Sequence, residues 1–354
     1  MAQAAKHFTK EYYDSLSPEN KAALIRCVRS GTYNPDSSVG CYAMRPEDYD
    51  TLRGFFGPLI AEYHGVKAGT KQPTDWNAKA MDLASLGLGP SSSRVRVGRN
   101  LAAFPLPGAM SKEQRMAMEE VMSKAYAELA KKSMPNGKKF GGRYYSLTPG
   151  RPDSISDAEY QKLIKEHLMF KSMDNDPYLK TAGISADWPF GRGTYISDDR
   201  RVSIWCNEED HLRVTVLVPS TTSLNEPFDL LNATLKALET VPGVKFARSN
   251  EYGYVTSCPS NLGTGMRASV MIKLPNLTGE QDIYGEQAQK IAKPYGLSVR
   301  GSGGEHTPVV NNMVDVSPSA RFGISEAVIL GRLYDGVKAM MKEESAMAAK
   351  KGGK

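Results

Sequence analysis

Two runs rich in β-branched and aromatic residues, RRVSIWC (200–206) and HLRVTVLV (211–218), are separated only by NEED at 207–210. A link that short joins antiparallel neighbours, because parallel strands need a crossover of about a dozen residues or more. The chain is therefore expected to contain a β-hairpin. SRVRVGRN (93–100) alternates strictly and predicts a strand with Arg94 and Arg96 on one face. YGYVTSC (252–258) and MRASVMIKL (266–274) flank a glycine loop, and GLSVRGSGGEHT (296–307) reads as a short strand entering a second one. Helical periodicity marks 112–131, 157–171, 226–241, 280–293 and 324–347. Hairpins with separate helices predict an α+β fold, an antiparallel β-sheet flanked by helices, and not a doubly wound parallel sheet.

The first 65 residues or so read as helical. In SPENKAALIRCVRSG, Ser17 is an N-cap, Pro18 takes the first helical position and Gly31 reads as a stop. RPEDYDTLRGFFGPLIAEYHG repeats the pattern and ends at Gly65. A Gly-, Pro- and Ser-rich stretch follows. The expected division is an all-helical N-terminal domain at 1–75, a linker at 76–90, an α+β domain at 91–347 and a solvated basic tail at 348–354.

With a net charge of +6, the chain is suited to an anionic partner such as a nucleotide, a nucleic acid or a membrane surface. VTVLV (214–218), the longest strongly apolar run, is too short to span a bilayer. MAQAAKHFTK has no apolar signal core, and Ala2 excludes N-myristoylation. Cys27, Cys41, Cys206 and Cys258 form no CxxC pair, which predicts free thiols and a cytoplasmic setting. Walker A, GxGxxG, HExxH, GxSxG and kinase signatures are absent, and His7, His64, His167, His211 and His306 show no zinc spacing. No metal ligand is assigned.

Arginines at the ends of predicted elements remain: Arg94, Arg96, Arg213, Arg267 and Arg300, each near Gly, Ser or a carboxylate. Their planar donor forks suit phosphate oxygens, and flanking glycines let backbone N–H groups approach an anion. Glu209 and Glu305 sit among them, either as turn glutamates balancing the arginines or as a clamp for a planar cation. Cys258 is either a buried inert thiol or a thiolate favoured by nearby arginines.

CPSNLGTGMRASV (258–270) and NEEDHLR (207–213) together resemble the signatures of the phosphagen (guanidino) kinases, the ATP:guanido phosphotransferases. SSRVRVGRN, EHLMFK, WPFGRG and VRGSGGEHT match further family blocks in order, and the similarity runs from about Ser37 to Met340. The resemblance implies a small helical domain before a larger α+β catalytic domain. It implies nucleotide binding by Ser92, Ser93, Arg94, Val95, Arg96, His167, Arg213, Arg267, Ala268, Ser269, Val270, Met271, Arg300, Gly301, Ser302, Gly303, Gly304 and Glu305. It implies guanidino-substrate binding by Ser37, Ser38, Val39, Gly40, Cys41, Tyr42, Tyr63, Glu209, Cys258 and Glu305, with Glu209, Glu305, Arg213, Arg267, Arg300 and Cys258 catalytic. SSVGCY, Tyr63 and Glu305 are similar to arginine kinases, with taurocyamine kinases as the alternative within the family.

The resemblance also implies MgATP and ADP, with Mg²⁺ held mainly by phosphates and water, and a monomer with a dimer as the alternative. Four departures stand out. Met271 and Ile196 replace family histidines, and Gly303 replaces an arginine. MDNDPYLK lacks the arginine that pairs with the aspartate matching Asp36. Two further readings compete. A nucleic-acid module would interleave aromatics with the arginines, and SRVRVGRN and GTGMRAS have none. An inactive nucleotide-binding homologue would have lost a carboxylate or a phosphate arginine, and all are present.

Overall fold

The computed structural model describes residues 2–278, 282, 284–301 and 308–352. Its strands are β1 (Ser91–Arg99), β2 (Arg143–Ser146), β3 (Gly193–Ile196), β4 (Val202–Cys206), β5 (Leu212–Thr221), β6 (Arg248–Ser249), β7 (Gly253–Tyr254), β8 (Met266–Lys273), β9 (Leu297–Gly301) and β10 (Met313–Pro318). All but β6 and β7 form one sheet in the order β2-β3-β4-β5-β1-β8-β10-β9, antiparallel throughout. The NEED turn joins β4 to β5, as the spacing requires, with Trp205 opposite Arg213.

The two faces of the sheet differ because side chains alternate along a strand. In β1, Val95 and Val97 are buried and Arg94 and Arg96 point the other way. Val95, Val97, Val214, Val216, Val270, Ile272 and Val316 join Met118, Phe228, Leu231, Leu330 and Leu333 in the large core. Helix Asn225–Glu239 covers β5 and β1, and helix Glu326–Gly352 covers β8, β9 and β10. The stretch 76–90 also packs here: Met81 and Leu83 are buried, and the Trp76 ring lies 5.0 Å from that of Phe228.

Helices Gln3–His7, Lys10–Ser15, Pro18–Tyr33, Asp48–Thr51 and Arg53–His64 precede the sheet. Ser17 Oγ accepts from Asn20 N at 3.2 Å, and Gly65 ends its helix in the left-handed conformation. Leu24, Tyr49, Phe55, Phe56 and Leu59 form a second core, which Tyr252, Val255, Cys258, Leu262 and Phe322 complete from the far part of the chain.

Several local expectations change. Gly31 does not stop its helix, which runs on to Tyr33. A Cβ on Gly31 would lie 2.3 Å from Gly40 O, so glycine is needed for close approach of the following loop. The helix expected over 157–171 ends at Lys165, because His167 turns the chain with φ 59°. YGYVTSC is not an arm of the main sheet. Only Gly253–Tyr254 is strand, pairing with β6, because Ser257 N is drawn to Asp210. Of 280–293, Glu286–Ala292 is helical, and 280, 281 and 283 lie outside the described residues.

Candidate active site

The strand register gathers the sequence-separated arginines on one sheet face. Arg96 lies opposite Arg267, Gly98 opposite Arg213, Arg94 opposite Ser269 and Arg300 opposite Asp315. Arg267 Nη2 donates to Ser317 Oγ at 3.1 Å. The Arg213 guanidinium lies 5.2 Å from the Trp205 ring centre, with Nη2 3.0 Å from Glu208 Oε2 and 3.8 Å from Glu209 Oε2. A cavity of about 30 Å³ is bounded by Arg96, Arg213, Arg267 and Arg321, with Gly98, Asp210 and Gly265 on its wall. Burial, then Arg213, Arg94 and Arg267, bring the Arg96 guanidinium down to about 9. So much positive charge gathered on one sheet face suits a polyanion.

The rest of the expected nucleotide set divides. Ser92, Arg94, Arg96, Arg267 and Met271 keep partial exposure, whereas Ser93, Val95, Ala268, Ser269, Val270 and Gly301 are buried. Ser93, Val95, Ala268 and Val270 alternate with the arginines and turn toward the covered face, so their side chains are corrected to core positions. His167 is exposed, and the adjacent Leu168 O accepts from Trp205 Nε1 at 3.0 Å, which brings it near Arg213. Ser302, Gly303, Gly304 and Glu305 lie outside the described residues.

A larger pocket of about 620 Å³ brings together Ser37, Ser38, Val39, Gly40, Cys41, Tyr42, Tyr63, Glu209 and Cys258. Backbone bonds seat its loop: Gly31 N to Gly40 O at 3.0 Å, Tyr42 N to Cys27 O at 2.9 Å and Ala43 N to Ser257 O at 2.8 Å. The NEED turn links the two pockets. Asp210 Oδ1 accepts from Ser257 N at 2.7 Å and Asn100 Nδ2 at 2.8 Å. His211 Nδ1 accepts from Leu101 N at 2.9 Å, so Nε2 carries the hydrogen and donates to Pro105 O at 2.9 Å. Burial pulls His211 down to about 3, and it stays neutral.

Burial, with Asp210 and Glu208 beside it, raises Glu209 above the usual carboxylate range. Of the two readings of Cys258, burial and then Glu209 favour the protonated thiol, pushing it up to about 12. Its sulfur also meets the Ser260 hydroxyl, Sγ to Oγ at 3.0 Å. The missing arginine partner of Asp36 is replaced by a hydroxyl: Tyr178 Oη donates to Asp36 Oδ2 at 2.8 Å.

Sequence reading missed Arg321, Glu208, Asp210 and Asp176. Arg321 carries the same signal as the other arginines, a cation near a glycine in RFGISE. Glu208 and Asp210 share one turn with Glu209, and only the register tells the three carboxylates apart. Among the described residues, no group of three or more His, Cys, Asp or Glu is placed to hold a metal ion, and no helix is long and apolar enough to cross a membrane.

The N-terminal domain of ATP:guanido phosphotransferases matches residues 2–61, and the C-terminal catalytic domain of that family matches residues 118–347. The chain is 36% identical over 352 residues to an arginine kinase of Liolophura japonica, covering 96% of this chain and 93% of that one. It is 35% identical over 354 residues to the arginine kinase of Limulus polyphemus, covering 97% and 92%. Among solved structures, a lombricine kinase superposes with TM-score 0.83 at 26% identity, covering 99% of this chain and 93% of that chain. A duplicated taurocyamine kinase from Schistosoma mansoni gives 0.81 at 30% identity, with 97% of this chain covered. The chain spans about half of that duplicated protein, 47% of its length. This chain belongs to the ATP:guanido phosphotransferases, the phosphagen kinases, and is a kinase acting on a guanidino compound and ATP.

Proposed function

We propose that the chain transfers the γ-phosphoryl group of MgATP reversibly to L-arginine, giving phosphoarginine and ADP. The observation that carries this reading is the pairing of pockets across the NEED turn: arginines on one side, and Glu209, Cys258, Tyr63 and the 37–42 loop on the other. Arg94, Arg96, Arg213, Arg267 and Arg300 hold the phosphate chain and offset charge on the oxygens in flight. Mg²⁺ arrives with ATP, bound by phosphate oxygens and water. Backbone N–H groups of the 37–42 loop take the amino-acid carboxylate. Glu209, with Glu305, orients the guanidinium.

A guanidino nitrogen attacks the γ-phosphorus as its bond to the β,γ-bridging oxygen breaks, and ADP leaves with that electron pair. The guanidinium proton passes to one of the two glutamates during attack, because the free group is too weak an acid to lose it first. Cys258 acts as a polar wall and forms no bond to phosphorus. The division at 1–75, 76–90 and 91–347, and a cytoplasmic ATP-buffering role, belong to the same proposal. A coupled ADP-release assay with L-arginine, taurocyamine, lombricine and creatine tests it. L-arginine should give the highest kcat/KM, and a taurocyamine value about tenfold higher would refute the arginine reading.

A further inference from the structure

The wall of the larger pocket away from the phosphate arginines takes no part in the transfer step. It is built by the short helix Pro177–Thr181. Ser30 Oγ donates to Tyr178 O at 3.0 Å, and Asn34 Nδ2 donates to Thr181 Oγ1 at 2.8 Å. With the Tyr178–Asp36 bond, these contacts tie the helix to the segment that leads into the 37–42 loop. They hold Asp176 against the pocket.

Asp176 Oδ1 is occupied: it accepts from Tyr178 N and Leu179 N, both at 2.9 Å. Among the described residues, Oδ2 of Asp176 has no hydrogen bond or ion pair. Asp36, Glu208 and Glu209 also line the pocket, and no Lys, Arg or His does among the described residues. Tyr42 lines the same pocket, and its phenol is raised by burial, then by Cys258, Glu209 and Asp176, so it feels carboxylates from both the NEED turn and the short helix. A guest here meets negative charge at both ends. The guanidinium answers one end, and the other asks for a second cation.

We propose that Asp176 determines specificity: its second carboxylate oxygen receives the α-ammonium group of an amino-acid substrate. This rests on the reading of the pocket as the guanidino site. L-arginine places its carboxylate on the backbone N–H groups of the loop and its ammonium on Asp176. Taurocyamine ends in a sulfonate and has no amine, so it brings like charge toward Asp176 and Asp36.

The test is Asp176→Asn, which keeps the side-chain oxygen for the helix cap and removes the charge. Asp176→Ser, also a capping residue, serves as a second variant. L-arginine is compared with 5-guanidinopentanoic acid, which is arginine without its amine, and with taurocyamine. Both variants should raise KM for L-arginine about tenfold and leave kcat and the KM for MgATP unchanged. The preference for L-arginine over 5-guanidinopentanoic acid should shrink by about the same factor. A preference unchanged in both variants, with the wild type still favouring L-arginine, overturns the role of Asp176 alone. A wild type that favours taurocyamine overturns the arginine reading and this inference with it.

Discussion

Arg96 faces Arg267 directly across the β1–β8 pair, an arrangement that disfavours the folded chain, since like charges directly opposite repel. Burial raises the cost, and Glu208 offsets only part of it. Arg96→Gln should therefore raise the thermal midpoint by about 2 °C and cut kcat at least about 100-fold. Differential scanning fluorimetry beside a kinase assay checks both, and a destabilised Arg96→Gln with intact turnover would refute the phosphate role. Glu209 carries a second prediction. Its raised carboxyl must ionise to receive a guanidinium, so kcat/KM for the guanidino substrate should fall on acidification well above the usual carboxylate range. A flat profile from pH 6 to 9 would show that Glu209 is already charged. At Cys258 the protonated thiol implies slow alkylation. The iodoacetamide rate should climb about tenfold per pH unit between pH 7 and 9, and a pH-independent rate would restore the thiolate.

At the scale of elements, what was legible in the sequence depended on how local the cause was. The β4–β5 hairpin and the arginine face of β1 were readable because alternation and a four-residue turn are properties of adjacent residues. The helix Lys112–Lys131 was readable for the same reason. The fate of YGYVTSC was not, because it is decided by Asp210, a residue on another hairpin. Gly31 is the clearest case. In sequence it looked like a helix terminator, and in space it is the seat of Gly40. Gly31→Ala should favour the helix by about 1 kcal/mol through propensity alone. Yet its Cβ must push the backbone of the 37–42 loop away. The expected result is a folded enzyme whose KM for the guanidino substrate rises about tenfold while KM for MgATP stays put. Equal rises in both would point to general distortion instead of loop displacement.

For the whole molecule, the helical N-terminal part and the sheet do not have separate interiors. Tyr252, Val255, Leu262 and Phe322 complete the core around Tyr49, Phe55 and Phe56, and Tyr49 Oη donates to Thr256 O at 2.8 Å. The same contacts bring Cys258 and the 37–42 loop to one pocket, so assembling the site and closing the second core are one event. Unfolding should then be a single cooperative transition. The chain offers a direct probe. Its three tryptophans, Trp76, Trp188 and Trp205, all lie beyond the helices of the N-terminal part. Fluorescence therefore reports on the part beyond those helices, through Trp76 on the large core and Trp188 and Trp205 on a smaller cluster around Phe170, and far-ultraviolet circular dichroism reports on both parts. The two urea curves should coincide, with the fluorescence of Phe322→Ala shifting as far as its ellipticity, a loss of about 3 kcal/mol. A helical signal lost at lower urea than the tryptophan signal would mean that the N-terminal part opens on its own. The guanidino pocket would then be assembled only when that part docks.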